Sequence, residues 1–239
     1  MRSTAAAPRL RARLIAHAGL LVFGASLIYF VYCYSVVFGR VIPGAIEPSA
    51  IAIDVALFTA FAFHHSVFAR DACRRVMTAV AGPLERSVYV WIASILFVAV
   101  CAAWRPVARV AWQVDVPAMA WGLMAAQVFG VWLSLRSAVM IDILELAGIR
   151  QLQPGAPAPL EFLARGPYGW VRHPIYTGWL LIVFGATVMT NTRLVFAITS
   201  SAYLLLAIPL EERSLRRAAP GAYERYMRHV RWRLLPGVY

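Results

Sequence analysis

Three short stretches near the end of the chain carry residue types that could do chemistry together. They are Arg172-His173-Pro174-Ile175-Tyr176-Thr177-Gly178, the pair Glu211-Glu212, and Tyr223-Glu224-Arg225-Tyr226. Gly166-Pro167 is a turn signal shortly before the first of them. Pro174 opens an apolar run, and proline suits the first position of a helix, where its missing N–H costs nothing. Arg172 and His173 are therefore predicted at a helix start. That end carries partial positive charge and open N–H groups, and it suits an anion. Gly178, one turn in, leaves room for a ligand or a neighbouring helix to come close.

The glutamates close the next apolar run, and only Asn191, Thr192 and Arg193 separate the two runs. Folding this hairpin about Thr192 brings His173 opposite Glu211 and Arg172 opposite Glu212. A cationic helix start then lies beside a carboxylate pair at one depth. Such a site suits a zwitterion, with its amine on the glutamates and its carboxylate near Arg172 and His173. An ordinary hairpin with salt bridges at its inner end, including Glu212 to Arg216 at i,i+4, accounts for the same residues.

The elements that must position these residues follow from composition. Of 239 residues, 61% are hydrophobic and 14% charged, where a soluble domain carries roughly a quarter charged. The apolar residues fall in runs at 14–38, 50–69, 88–104, 117–135, 175–190 and 194–210. Runs of about 18 or more apolar residues reach across a hydrocarbon core as helix, and lipid leaves the backbone no other partner than itself. The sequence predicts an all-α, polytopic integral membrane protein with about six transmembrane helices. Its single membrane domain divides into a four-helix scaffold (14–135), a cytoplasmic connector (136–174) and a C-terminal hairpin and tail (175–239) forming the site. The connector includes a loop at 153–159, where three prolines and a glycine exclude continuous helix. The first run is too long for the core of a signal peptide and reads as a retained helix.

All 23 basic residues are arginine. With a cytoplasmic N-terminus and six spans, 19 of the 23 fall inside and only Arg40, Arg105, Arg109 and Arg193 outside, as the positive-inside rule requires. Both termini, and the Arg172–Glu212 end of the hairpin, are thus expected on the cytoplasmic side. The net charge of +12 is a topology and lipid-headgroup signal. The arginines flank helices and form no single patch, which argues against nucleic acid. Cys33, Cys73 and Cys101 are widely spaced and form neither a metal pattern nor a disulfide framework. Asp54, His64 and His65 lie in the second run, where an ionisable residue is either a functional group or a polar contact between helices. Trp91, Trp104, Trp112, Trp121 and Trp170 read as interfacial residues.

Taken in order, Arg172-His173-Pro174-x-Tyr176-x-Gly178, the glutamate pair and Tyr223-x-x-Tyr226 resemble the membrane methyltransferases, a group containing isoprenylcysteine carboxyl methyltransferase and phospholipid N-methyltransferases. The ordered combination is specific where each piece alone is weak. The resemblance implies S-adenosylmethionine as methyl donor. His173, Tyr176, Gly178, Glu211, Glu212, Tyr223 and Tyr226 would bind it, and Arg172 and Glu212 would be catalytic. The stretches 61–70, 85–89 and 142–151 look like the bacterial branch with methanethiol S-methyltransferase and the NnrU-like proteins. That branch often has glutamine where this chain has His64.

That likeness implies direct methyl displacement onto a small or lipophilic thiol entering from the bilayer of a bacterial inner membrane. Arg172 or His173 would favour the thiolate, and no metal is required. The prenylcysteine branch carries a catalytic arginine about one turn before the glutamate pair, and the methanethiol branch tends to carry one just ahead of the pair, where this chain has Pro209. Here that turn is Ala207-Ile208-Pro209-Leu210, which disfavours a carboxylate acceptor and leaves Arg213 or Arg172 to supply a cation. Pro209 is also expected to kink its helix. Isoprenylcysteine carboxyl O-methylation, lipid amine methylation, a non-catalytic NnrU-like protein and a reductase are the alternatives.

Overall fold

The computed structural model describes residues 6–68, 77–141 and 164–239. The loop expected at 153–159, the family-like segment 142–151 and Cys73 lie outside them. The described chain forms two compact units, one built from the first three long helices and the other from the remaining elements.

The first unit contains α1 (Ala6–Tyr32), which continues as a π-helical turn (Cys33–Val37), α2 (Pro48–Phe68) and α3 (Glu85–Ala103). Prolines and small residues set the ends, and uninterrupted apolar sequence sets the lengths. α3 packs against both α1 and α2. Their shared core is aromatic: the Phe97 ring lies 5.6 Å from Phe30 and 5.3 Å from Phe61. Trp104 belongs to this core rather than to an interface. It is 6% exposed and packs on Phe38 and Phe58, because it directly follows α3 beneath the end of α1. Leu21, Ile28 and Phe63 point outward, as lipid-facing positions do.

The second unit contains β1 (Val110–Gln113), α4 (Pro117–Met140), α5 (Pro174–Phe184), β2 (Val188–Thr190), α6 (Asn191–Ala218) and α7 (Ala222–His229). α4 lies against α5 along glycines. A Cβ at Gly178 would sit 2.5 Å from the Gly130 carbonyl oxygen, and one at Gly130 would sit 2.6 Å from that of Gly178. Small residues let helix backbones approach where lipid offers no hydrophobic drive. The Gln127 side-chain amide adds a hydrogen bond to the Ile182 carbonyl at 2.8 Å.

Among the described residues, five helices are long and apolar enough to cross a membrane: α1 with its π-helical turn, α2, α3, α4 and α6. The expected helix over 175–190 differs. α5 has 11 residues, about 17 Å of helix, and the run finishes extended. Residues 185–190 add up to about 20 Å, so the two pieces match the roughly 33 Å from Asn191 to Glu212. The extended part is not left bare. β2 pairs antiparallel with β1, Val188 opposite Gln113 and Thr190 opposite Val110, and Met189 and Thr190 are fully buried. Non-helical backbone at membrane depth is tolerated where protein covers it.

The turn expected at Asn191, Thr192 and Arg193 is also displaced. These residues form the first turn of α6, because Thr190 caps it by accepting from the Arg193 N–H at 3.2 Å. Asn191 and Thr192 are held by the Ala108 and Val107 carbonyls. α6 runs through Pro209 as one helix to Ala218, although Pro209 has no N–H to return to the turn before it.

Candidate functional site

α5 begins where α6 is ending, and this brings the first two stretches together. Pro174 is the first helical residue of α5 and His173 its N-cap. The Arg172 Nε donates to Glu212 Oε1 at 2.7 Å. His173 lies between the two carboxylates, its Nε2 3.4 Å from Glu212 Oε1 and its Nδ1 3.7 Å from Glu211 Oε2. Its ring stacks on Tyr176 at 5.4 Å, and the Tyr176 hydroxyl donates to Glu211 Oε2 at 2.8 Å.

The glutamates are not equivalent. The Glu212 side chain is 2% exposed and the Glu211 side chain 45%. Consecutive helical residues point about 100° apart, so one faces inward and its neighbour outward. Glu212 turns toward Arg172, not along the helix surface toward Arg216.

Sequence reasoning missed the second cation on Glu212. Arg233, from the tail after α7, donates to Glu212 Oε2 through Nη2 at 3.2 Å and Nε at 3.3 Å. Burial opposes its charge, but the bonds to Glu212 outweigh that and raise its pKa. The tail also takes up the backbone ahead of α5. The N–H groups of Arg172 and His173 donate to the carbonyls of Trp232 and Arg233, each at 2.9 Å. Arg172 Nη1 donates to the Val230 and Arg231 carbonyls, and Thr177 Oγ1 to that of Leu234. The expected open N–H groups ahead of the helix are thus occupied by protein. The cation-aromatic run Arg231-Trp232-Arg233 was the only signal for this tail, and neither spacing nor period says where such a run docks.

Tyr223 and Tyr226 lie on α7 and are buried, 1% and 7% exposed, with Val230, Ala164 and Leu215 around them. The Tyr226 hydroxyl donates to the Tyr168 carbonyl at 2.8 Å. Burial pushes the phenols of Tyr168, Tyr223 and Tyr226 up, so they stay neutral at physiological pH. Gly178 faces α4, as the glycine contacts above show. Of the two close approaches its sequence allowed, the neighbouring helix makes one. Arg213 is exposed on α6.

In the first unit, Asp54 is buried and its Oδ1 accepts the Arg105 N–H at 2.7 Å. The Tyr89 hydroxyl lies 2.8 Å from His65 Nδ1, and the His64 ring stacks on Tyr89.

Residues 156–217 match the model of the isoprenylcysteine carboxyl methyltransferase (ICMT) family. A methanethiol S-methyltransferase of Mycobacterium tuberculosis is 35% identical over 89% of this chain and 91% of its own length. One from Pseudomonas deceptionensis is 35% identical over 79% of this chain and 74% of its own. Nurim of Xenopus laevis is 30% identical over 67% of this chain and 61% of its own. No solved structure matches.

Proposed function

The chain belongs to the methanethiol S-methyltransferase family of membrane methyltransferases, and from that premise we propose that it methylates a small or lipophilic thiol with S-adenosylmethionine at the ends of α5 and α6. The observation that most supports this reading is the split within the glutamate pair. Glu212 is buried between two arginines, while Glu211 faces outward, held by Tyr176. A held, solvent-facing carboxylate suits a donor carrying a sulfonium and an amine. The chemistry supplied by S-adenosylmethionine when bound is a sulfonium methyl, taken by the acceptor sulfur in a displacement that forms one C–S bond, breaks the other and releases the thiol proton to water.

The residues contribute position more than reactivity. Glu211 and Tyr176 would bind the cationic donor, with His173 packed beneath them. Arg172 and Glu212 would fix the floor of the site, while Tyr223 and Tyr226 would seat α7 and the tail against it. Holding acceptor and methyl in line is itself a large part of such a rate enhancement. Leu206 and Leu210 are exposed on α6 just before Glu211, which favours an apolar acceptor arriving from the bilayer. Arg172 and Arg233 both pair with Glu212, so a carboxylate acceptor would have to compete for them, and a neutral thiol would not. Desolvating a carboxylate without a cation is costly.

The site would face the cytoplasm of a bacterial inner membrane, with both termini on that side. Reporters fused after Arg165 and Tyr239 should then be active in the cytoplasm and those near Arg40 or Arg109 silent. The decisive assay supplies labelled donor to the purified chain with methanethiol, a prenylcysteine and a lipid amine in parallel. Turnover of the thiol with little of the others is expected. Carboxyl methylation without thiol turnover would refute the acceptor assignment. A chain that does not bind the donor at all would instead fit the second reading, a non-catalytic NnrU-like membrane protein.

A further inference from the structure

We propose that Arg233 is a positioning residue for methyl transfer, holding Glu212 from the side opposite Arg172 and through it the donor-facing Glu211. The inference rests on the methyltransferase reading of this site.

Arg233 is fixed at every polar group. Its carbonyl accepts the His173 N–H at 2.9 Å, and its own N–H donates to the Tyr239 carbonyl at 2.8 Å. Its Nη1 donates to the Tyr239 hydroxyl at 2.9 Å, and its guanidinium lies 5.0 Å over the Tyr239 ring. Its Nε and Nη2 reach Glu212 Oε2. The next residue, Leu234, accepts from Thr177 Oγ1 at 2.7 Å. The tail is therefore laid along the first turn of α5, gripping it at residues 173 and 177.

The consequence lies in how the carboxylate is shared. Arg172 approaches Oε1 and Arg233 approaches Oε2. A carboxylate held at one oxygen can still rotate about its terminal bond, whose torsion is soft. A second arginine on the other oxygen stops that rotation. Glu212 Oε1 then presents a fixed partner to His173, His173 a fixed face to Tyr176, and the Tyr176 hydroxyl a fixed bond to Glu211. Arg233 also balances charge. Arg172 and Arg233 both sit on Glu212, next to Glu211 in the chain, and removing Arg233 leaves that carboxylate pair with one arginine instead of two.

The test uses the full chain in detergent, with methanethiol and S-adenosylmethionine varied separately and S-adenosylhomocysteine binding followed by thermal shift. Arg233→Ala should raise the donor KM about tenfold or more, the scale of a lost charge-assisted hydrogen bond, with a smaller change in the thiol KM. S-adenosylhomocysteine affinity should fall in parallel. Arg233→Lys, which keeps the charge, should recover much of both. Arg228→Ala, exposed on α7, should match wild type. The proposal is overturned if Arg233→Ala leaves the donor KM unchanged, or if Arg233→Lys is as impaired as Arg233→Ala with an equally lowered melting temperature, which would make Arg233 only an anchor for the tail. A wild-type chain that neither turns over nor is stabilised by S-adenosylhomocysteine defeats the methyltransferase reading, and this inference with it.

Discussion

Glu212 in the second unit and Asp54 in the first are both buried carboxylates on long apolar helices. Their surroundings differ in kind. Glu212 meets side chains from two separate stretches outside its own helix: Arg172 and His173 before α5, and Arg233 from the tail. Asp54 meets one backbone N–H, that of Arg105 just past the end of α3, and among the described residues its Oδ2 has no hydrogen-bond partner. A single backbone contact ties a helix to the loop beside it and belongs to the fold. Converging cations from distant stretches hold a carboxylate in one place and orientation, which a site requires and a fold does not. An ionisable residue inside an apolar helix is therefore weak evidence until the origin of its partners is known.

The largest effect should come from Glu212→Ala. It leaves the Arg172 guanidinium, 6% exposed, without its carboxylate, and breaking a buried pair from one side costs on the order of 3–5 kcal/mol. A clear fall in melting temperature and loss of stabilisation by S-adenosylhomocysteine are expected together. Arg172→Ala should come close to it, because it also removes the bonds to Val230 and Arg231 that seat the tail. Arg213→Ala, on the exposed side of α6, should change the melting temperature by less than about 0.5 kcal/mol in stability terms. Equal damage from the two arginine variants would mean that burial of Arg172 does not matter.

Gly178→Ala comes next. Its Cβ would lie 2.5 Å from the Gly130 carbonyl oxygen, so α4 and α5 must part, at a cost of about 1–3 kcal/mol. Thermal unfolding reads that cost directly, and donor affinity should fall with it because α5 carries Tyr176. Glu211→Gln should behave in the opposite way. The side chain is half-exposed, so stability should hold within about 0.5 kcal/mol, while donor affinity drops about tenfold for loss of a charged contact. Normal S-adenosylhomocysteine binding by this variant would remove Glu211 from the site. The smallest change is expected from Asp54→Asn. The amide oxygen still accepts from Arg105, and thiol methylation and melting temperature should both stay near wild type. A loss comparable to that of Glu212→Ala would erase the distinction between the two carboxylates.

Most of the architecture was legible because lipid imposes a simple rule. Backbone in hydrocarbon must satisfy itself, so a long uncharged run is a helix, and five such runs are spanning-length helices among the described residues. The pairing of Arg172 with Glu212 was legible for a different reason. A hairpin equates two path lengths, and the estimate survived although its turn was misplaced. α5 is shorter than its apolar run, but the extended residues after it make up the distance. The end of α5 was not legible, since composition does not separate a helix from a covered strand in residues 185–190. What covers them is β1, far away in sequence. Nor did the sequence indicate that Trp104 is core, that α4 is the partner of Gly178, or that Arg233 reaches Glu212.

What the sequence by itself determined is therefore periodic or local: the apolar runs, the prolines that open α2, α4 and α5, and the clustering of Arg172, His173, Glu211 and Glu212 at one end of a hairpin. What only the tertiary structure decided is which glutamate turns inward and which cation meets it. Adjacent helical residues differ by about 100° in direction, so facing depends on where neighbouring elements lie. The 20 residues between Glu212 and Arg233 include a helix and two changes of direction, and the contact exists because Tyr223, Tyr226 and Val230 bury themselves and turn the tail back onto α5.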